Sequence, residues 1–183
     1  MYKIHRFHWR NIRGFWRAES GISAVEFALI APVMMLFYFG SIELSFMMTL
    51  DRKVTSTAGA LGDLVARADS IDNAEMIDIF DASRTILEPY PADVARMRVS
   101  SLVREDGTVT VAWSDGLNLT ALPVGQQVTV PSGLVSDGDS LILAEVEYDY
   151  ESFLGYFYTE KKKLSDEFYL RPRRTNTVER DRQ

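Results

Sequence analysis

Two carboxylates stand where a bilayer would normally exclude them. Glu26 and Glu43 bracket Phe27–Ile42, a stretch without a single charged residue. A charged side chain within a bilayer costs about 2.5–3.5 kcal/mol on insertion scales, so it usually has a partner or a task. Gly21 and Ile22 lie just upstream, where a run of basic residues gives way to the apolar run. Neither a lone glycine nor a glutamate facing headgroups is diagnostic by itself. Further along, Glu145, Glu147, Asp149 and Glu151 alternate with Ala144, Val146, Tyr148 and Tyr150. Paired carboxylates can serve a glycosidase, but this alternation reads as a solvated strand face above an apolar one. Asp137-Gly138-Asp139 lacks the remaining ligands of a calcium loop and reads as a turn. Both histidines, His5 and His8, precede the apolar run, and the chain has no cysteine. The region beyond the run therefore has no imidazole base, thiolate or histidine ligand. No catalytic, cofactor-binding or metal-ligating residue is assigned.

What must position Glu26 and Glu43 is a helix. A hydrocarbon core of about 30 Å takes about 20 helical residues, and Ile22–Leu44 suffices if the two glutamates sit near its ends. Pro32 and Gly40 fall inside it, and both are tolerated in membrane helices, where neighbouring groups re-satisfy freed carbonyls. A buried core helix is disfavoured by the length of unbroken hydropathy. A cleaved secretory signal is disfavoured because Asp51, Arg52 and Lys53 stand before the small residues Ala58-Gly59-Ala60.

Charge sets the orientation. Residues 1–20 carry +4, residues 171–183 carry +3, and the acidic middle carries −13 of a net −6. The basic amino-terminal arm is expected to remain in the cytoplasm, with everything after Leu50 exported. An acidic middle repels DNA, so no nucleic-acid partner is expected.

Once the span is in place, the Gly21–Glu26 pair acquires a meaning. Arg17-Ala-Glu-Ser-Gly21-Ile22-Ser-Ala-Val-Glu26-Phe27 resembles the processing site of type IV prepilins, which a prepilin peptidase cuts after the glycine on the cytoplasmic face. The string from Gly21 through Pro32 to Gly40-Ser-Ile-Glu43 is similar to the TadE-like family, pseudopilins of the tight-adherence (Flp-type) pilus. Ile86–Pro91, Leu143–Tyr148 and Leu164–Arg173 also resemble segments of that family. The resemblance implies a cut between Gly21 and Ile22, dependence of processing on Glu26 beside Phe27, and a family-like position of unassigned role at Glu43. Such a cut leaves the apolar helix on the mature chain. It also frees an α-amine at Ile22, largely protonated at neutral pH given a reference pKa of about 7.7–8.0. That ammonium and the Glu26 carboxylate can pair within one chain or between neighbours. The implied partners are the prepilin peptidase, other pseudopilins and pilin subunits, the inner-membrane assembly platform and membrane lipid. The implied place is the bacterial inner membrane, crossed once, with the C-terminal domain periplasmic.

Beyond the membrane the helix is expected to continue. Met47, Leu50, Val54, Ala58, Leu61, Val65 and Ala68 recur at helical steps, with Gly59 and Gly62 as points of weakness or bending. Asp72 and Glu75 form a capping-box pattern for a second helix with an apolar face of Met76, Ile77, Phe80 and Leu87, ended by Pro89-Tyr-Pro91. Period-two patterns follow. Met97, Val99 and Val103 alternate with Arg96, Arg98 and Arg104; Val109, Val111 and Trp113 form a second run, with Asp106-Gly107 as a tight turn between them. Strands are also expected at 127–130, 141–150 and 164–171. The fold class is α+β: a long N-terminal transmembrane helix running into an exported domain with a second helix and a small antiparallel β-sheet. The organisation reads as a basic leader (1–21), transmembrane helix (22–50), amphipathic extension (51–68), periplasmic α+β domain (69–170) and flexible basic tail (171–183).

The leading functional expectation is a non-enzymatic minor pseudopilin needed for pilus assembly and surface attachment. Against it stand a permanently anchored periplasmic binding module, never processed, and an anchored carboxylate hydrolase.

Overall fold

The computed structural model describes residues 19–152 and 161–182. The basic leader, apart from its last residues, therefore lies outside the described part. The chain divides into two compact units, one ending at Leu44 and the other beginning at Ser45.

The first unit is helix. Helix α1 runs Glu19–Ala66 with Pro32 inside it, and its portion up to Leu44 belongs to this unit. Apolar side chains cover this portion all round: Phe27, Leu29, Met34, Phe37 and Tyr38 are each at least 60% exposed. A helix that exposes apolar side chains on every face has the pattern of a lipid-facing or partner-facing segment. It is long and apolar enough to cross a membrane.

The second unit has the hydrophobic core. From Ser45 onward α1 becomes one-sided. Leu50, Val54, Ala58, Leu61 and Val65 are buried to within 1%, as their three- and four-residue spacing requires. Strand β1 (Ser70–Ile71) leads into α2 (Asn73–Arg84), continued by a 3-10 turn at Thr85–Leu87. The capping box forms as the sequence implies. The Glu75 amide donates to Asp72 Oδ1 at 2.8 Å, and the Asp72 amide donates to Glu75 Oε2 at 3.1 Å. Met76, Phe80 and Leu87 are buried, but Ile77 is 60% exposed. The apolar face of α2 is therefore narrower than expected, because Ile77 lies about 100° round from Met76.

Four strands, β2 (Arg96–Glu105), β3 (Thr108–Leu117), β4 (Ser140–Tyr150) and β5 (Lys162–Leu170), form an antiparallel sheet of order β3-β2-β4-β5. Asp106 and Gly107 both take positive φ, 49° and 78°, as a two-residue hairpin turn demands. One face of the sheet, with Met97, Val99, Trp113, Ile142, Ala144, Val146 and Tyr148, packs into the main core with the helices. Ser101 pairs with Trp113 and Leu102 with Val111, which leaves Ala112 of β3 as an extra residue, a β-bulge. Trp113 therefore faces the main core, whereas Val109 and Val111 turn to the opposite face and join Leu102, Leu141 and Leu143 in a second cluster. Period two had put Val109, Val111 and Trp113 on one face, and the extra residue reverses the side on which the strand's side chains stand. Leu122, Val128, Val130, Leu134 and Val135 cover that cluster.

Two further expectations need correction. Residues 127–130 do not form a strand: Gln127 makes an isolated bridge to Thr110, and the Val128 amide donates to the Val109 carbonyl. The arginine-rich tail is not a loose end. Strand β6 (Glu179–Arg180) pairs in parallel with β1, and Val178 is fully buried, its carbonyl accepting from Trp113 Nε1 at 2.7 Å. Charge suggested solvent, but these arginines find carboxylates and carbonyls within the fold.

Candidate functional site on the apolar helix

Gly21, Ile22, Glu26 and Phe27 all lie in the opening turns of α1 and all are exposed. Ile22 is 61% and Phe27 72% exposed, and a Cβ added to Gly21 would meet no atom within 4 Å. The space beside the Gly21 Cα is therefore free of described atoms. Helix geometry places Ile22 and Glu26 one turn apart, on one face. Long side chains on a helix lean toward its N-terminus, which brings the Glu26 carboxylate back toward residue 22. By the same geometry the Gly21 carbonyl accepts from the amide of Val25, so cutting this bond requires the first turn to open. The position suits that. The first turn has amides with no intrahelical acceptor, and a glycine weakens helix by about 1 kcal/mol relative to alanine.

Glu26 and Glu43 are 17 residues apart, about 26 Å along the axis, which is close to the hydrocarbon thickness. A helix crossing the bilayer therefore carries one carboxylate near each boundary. Their surroundings differ. Glu26 is exposed, whereas Glu43 is only 2% exposed, alone in being buried between Gly21 and Thr49. Sequence reasoning left Glu43 without a role. The available signal was its position seven residues before Leu50, on the face that becomes the buried stripe.

The acidic row on β4 is also placed. Glu145, Glu147 and Asp149 share one sheet face, as the alternation implied, but they are paired rather than simply solvated. Arg98 Nε and Nη2 donate to Glu145 Oε2 and Oε1, each at 2.6 Å, while Arg98 Nη1 donates to the Thr120 carbonyl. Lys163 reaches Glu147 at 2.5 Å, and Arg96 bridges Glu147 and Asp149 at 3.2 and 3.1 Å. Cross-strand register sets these pairs: Arg98 lies opposite Glu145, and Arg96 opposite Glu147. The carboxylate row is thus taken up in cross-strand ion pairs. Asp137 accepts from Arg104 Nε at 2.8 Å and from the Gly107 amide at 3.1 Å, which ties down the hairpin. Among the described residues no group of histidine, aspartate and glutamate is arranged to hold a metal ion.

Nearby Tyr169 shows the electrostatic character of this face. Partial burial, followed by the charge and hydrogen bond of Glu167 and then the charge of Glu145, pushes its phenol from 10.0 up to about 12.

Residues 21–60 match the model of the family described as TadE-like protein. Over that segment the chain is similar to the TadE-like family. The matched segment contains Gly21, Glu26, the whole apolar run, Glu43 and the first half of the buried stripe. No curated protein and no solved structure matches the sequence.

Proposed function

We propose that this TadE-like chain is a minor pseudopilin of a tight-adherence pilus. It is held in the bacterial inner membrane by one helix and matured by a prepilin peptidase that cuts between Gly21 and Ile22. The reading rests on one observation: an exposed Gly21–Ile22 pair and an exposed Glu26 one turn later begin a span-length apolar helix inside the TadE-like match. The family points to a structural, non-enzymatic role.

In this reading the basic leader stays in the cytoplasm and directs insertion. Removing it leaves an ammonium at Ile22, and Glu26 neutralises that charge where the helix enters the membrane. Pairing costs less than leaving either charge alone in a poorly solvated place. A pair made between chains, rather than within one, sets the axial register of neighbouring helices. The exposed apolar side chains of residues 22–44 pack against those helices, while the domain from Ser45 onward is displayed in the periplasm.

Co-expression with the peptidase, followed by intact-mass measurement, tests the assignment. The expected product lacks residues 1–21 and begins at Ile22. Gly21→Ala and Glu26→Ala are expected to abolish pilus-dependent attachment, both with loss of cleavage, whereas Glu145→Ala should leave cleavage intact. A full-length chain persisting beside an active peptidase would instead identify a permanently anchored module.

A further inference from the structure

The two edges of the four-stranded sheet are finished differently. Along β3 the Val111 amide donates to the Gln126 carbonyl, and the amides of Gly125 and Val128 donate to the carbonyls of Val111 and Val109. The segment after β3 thus closes that edge. Strand β5 pairs with β4 on one side, and among the described residues no backbone bond is formed to its other side. Every second residue of such an edge turns its N–H and C=O outward, and an open edge is a template for another strand. Lys161, Lys162, Lys163, Ser165 and Glu167 are exposed, and Asp166 is partly so.

The charges along this edge complement themselves. Lys161-Lys162-Lys163-Leu164-Ser165-Asp166-Glu167 carries its cations before Leu164 and its anions after it. When a second copy runs antiparallel with Leu164 opposite Leu164, Lys162 meets Asp166 of the other copy, Lys161 meets Glu167 and Lys163 meets Ser165. A two-fold axis makes each of these pairs twice. The contacts within one chain fit this division. Lys163, bound to Glu147 at 2.5 Å, is the lysine that meets a neutral residue. Lys162 has no ion pair among the described residues, and Asp166 accepts from the adjacent Glu167 amide at 2.9 Å but from no cation. Glu167 accepts from the Tyr169 hydroxyl at 3.2 Å. Lys161 lies 3.3 Å from Glu151, with side chains 66% and 75% exposed, and a pair so open to water is held weakly. Other pairings fit worse. Parallel strands in register set lysine against lysine, centring on Lys163 or Asp166 opposes like charges, and centring on Ser165 sets Asp166 against Leu164. Lysines that served only to repel another strand would not need acids at the mirror positions. We propose that β5 is a self-association edge: two copies of this chain pair antiparallel about Leu164 and join their sheets into one. The inference needs neither cleavage nor a membrane, because β5 lies wholly within the unit that begins at Ser45.

Disulfide trapping tests it. The chain has no cysteine, so Lys163→Cys and Ser165→Cys are introduced into separate full-length chains with different tags. These are oxidised in detergent micelles, alone and mixed. Directly opposite residues bring Cβ atoms to about 4.5–5.5 Å and diagonal ones to about 7–8 Å. The mixture is therefore expected to crosslink, and neither variant alone. Asp166→Lys added to both chains faces Lys162 and should cut the crosslink about tenfold, since symmetry imposes the repulsion twice. Lys162→Asp combined with Asp166→Lys exchanges the charges and should restore it, which separates lost pairing from lost folding. Ser165→Cys crosslinking to itself as readily as the mixture would place the axis at Ser165 and overturn this register. A mixed crosslink indifferent to Asp166→Lys, or not restored by the exchange, would overturn the charge pairing. A yield no higher than that of Asp78→Cys, an exposed residue of α2, would refute the dimer and leave β5 as a guarded edge.

Discussion

Arg98 and Arg180 carry more of this domain than their solvent-loving character suggests. The Arg98 guanidinium meets Glu145 with two bonds and a carbonyl with a third, on a side chain 18% exposed. Its fork geometry cannot be reproduced by an ammonium. Arg98→Lys is therefore expected to lose about 1–3 kcal/mol, the range for bonds to charged groups, read as a lower urea midpoint at unchanged slope. Arg180, 5% exposed, donates to Asp115 Oδ2 at 2.9 Å and to Asn73 Oδ1 at 2.8 Å. Arg180→Ala strands a half-buried carboxylate and should cost about 3 kcal/mol, toward the low end for one-sided loss of a buried pair. Tyr169 gives a pH signature. Its phenol ionises near 12 when folded but near 10.0 when unfolded, so the folded state holds the proton more tightly. That contribution is complete below pH 10 and disappears as pH rises through 12. Tyr169→Phe should flatten the alkaline decline between those limits, and tyrosinate absorbance should show one late-titrating group fewer.

Helix α1 changes character along its length because its two halves answer to different surroundings. Up to Leu44 it is apolar all round. Past Ser45 it shows one buried stripe. The glycines of that second half were expected to weaken or bend the helix, and the packing gives them separate meanings. A Cβ at Gly62 would overlap Leu170 Cδ1 and come within 3.2 Å of the Ala144 Cβ, whereas at Gly59 the nearest atoms are Phe168 ring carbons at 3.9 Å. Gly62 lets the helix approach the sheet closely; Gly59 leaves room. Gly59→Ala should therefore stabilise by up to about 1 kcal/mol through helix propensity. Gly62→Ala sets the same gain against about 1–3 kcal/mol of overpacking and should come out destabilised. Thermal unfolding of the pair, measured together, separates the two effects.

The molecule as a whole is two units with opposite relations to water. The unit from Ser45 onward has its own core, with helix stripe, α2 and one sheet face closed together. It is expected to fold when produced without residues 1–44, giving a cooperative thermal transition and a dispersed amide spectrum. Removing residues 172–183 from that fragment should abolish cooperativity. The tail supplies Val178 to the core, an acceptor for Trp113, and, through the Arg173 amide, a donor to the Ala66 carbonyl at the end of α1.

Local pattern was enough for the long apolar helix, its buried continuation, the α2 capping box and the Asp106-Gly107 hairpin. Each depends on neighbours within a few residues, where period, capping chemistry and turn conformation act directly. The remaining features depend on partners far away in the chain. The bulge at Ala112 sends Trp113 to the face opposite Val109 and Val111, and the segment 118–139 lies over the second face without becoming a strand. The arginines of the tail are held by Asp115, Asp63 and backbone carbonyls of remote segments. Burial of Glu43 belongs to the same class. Hydrophobic periodicity says which face of an element seeks cover, but the covering surface, and hence which charges are paired and which hollows remain, exists only once distant segments have met.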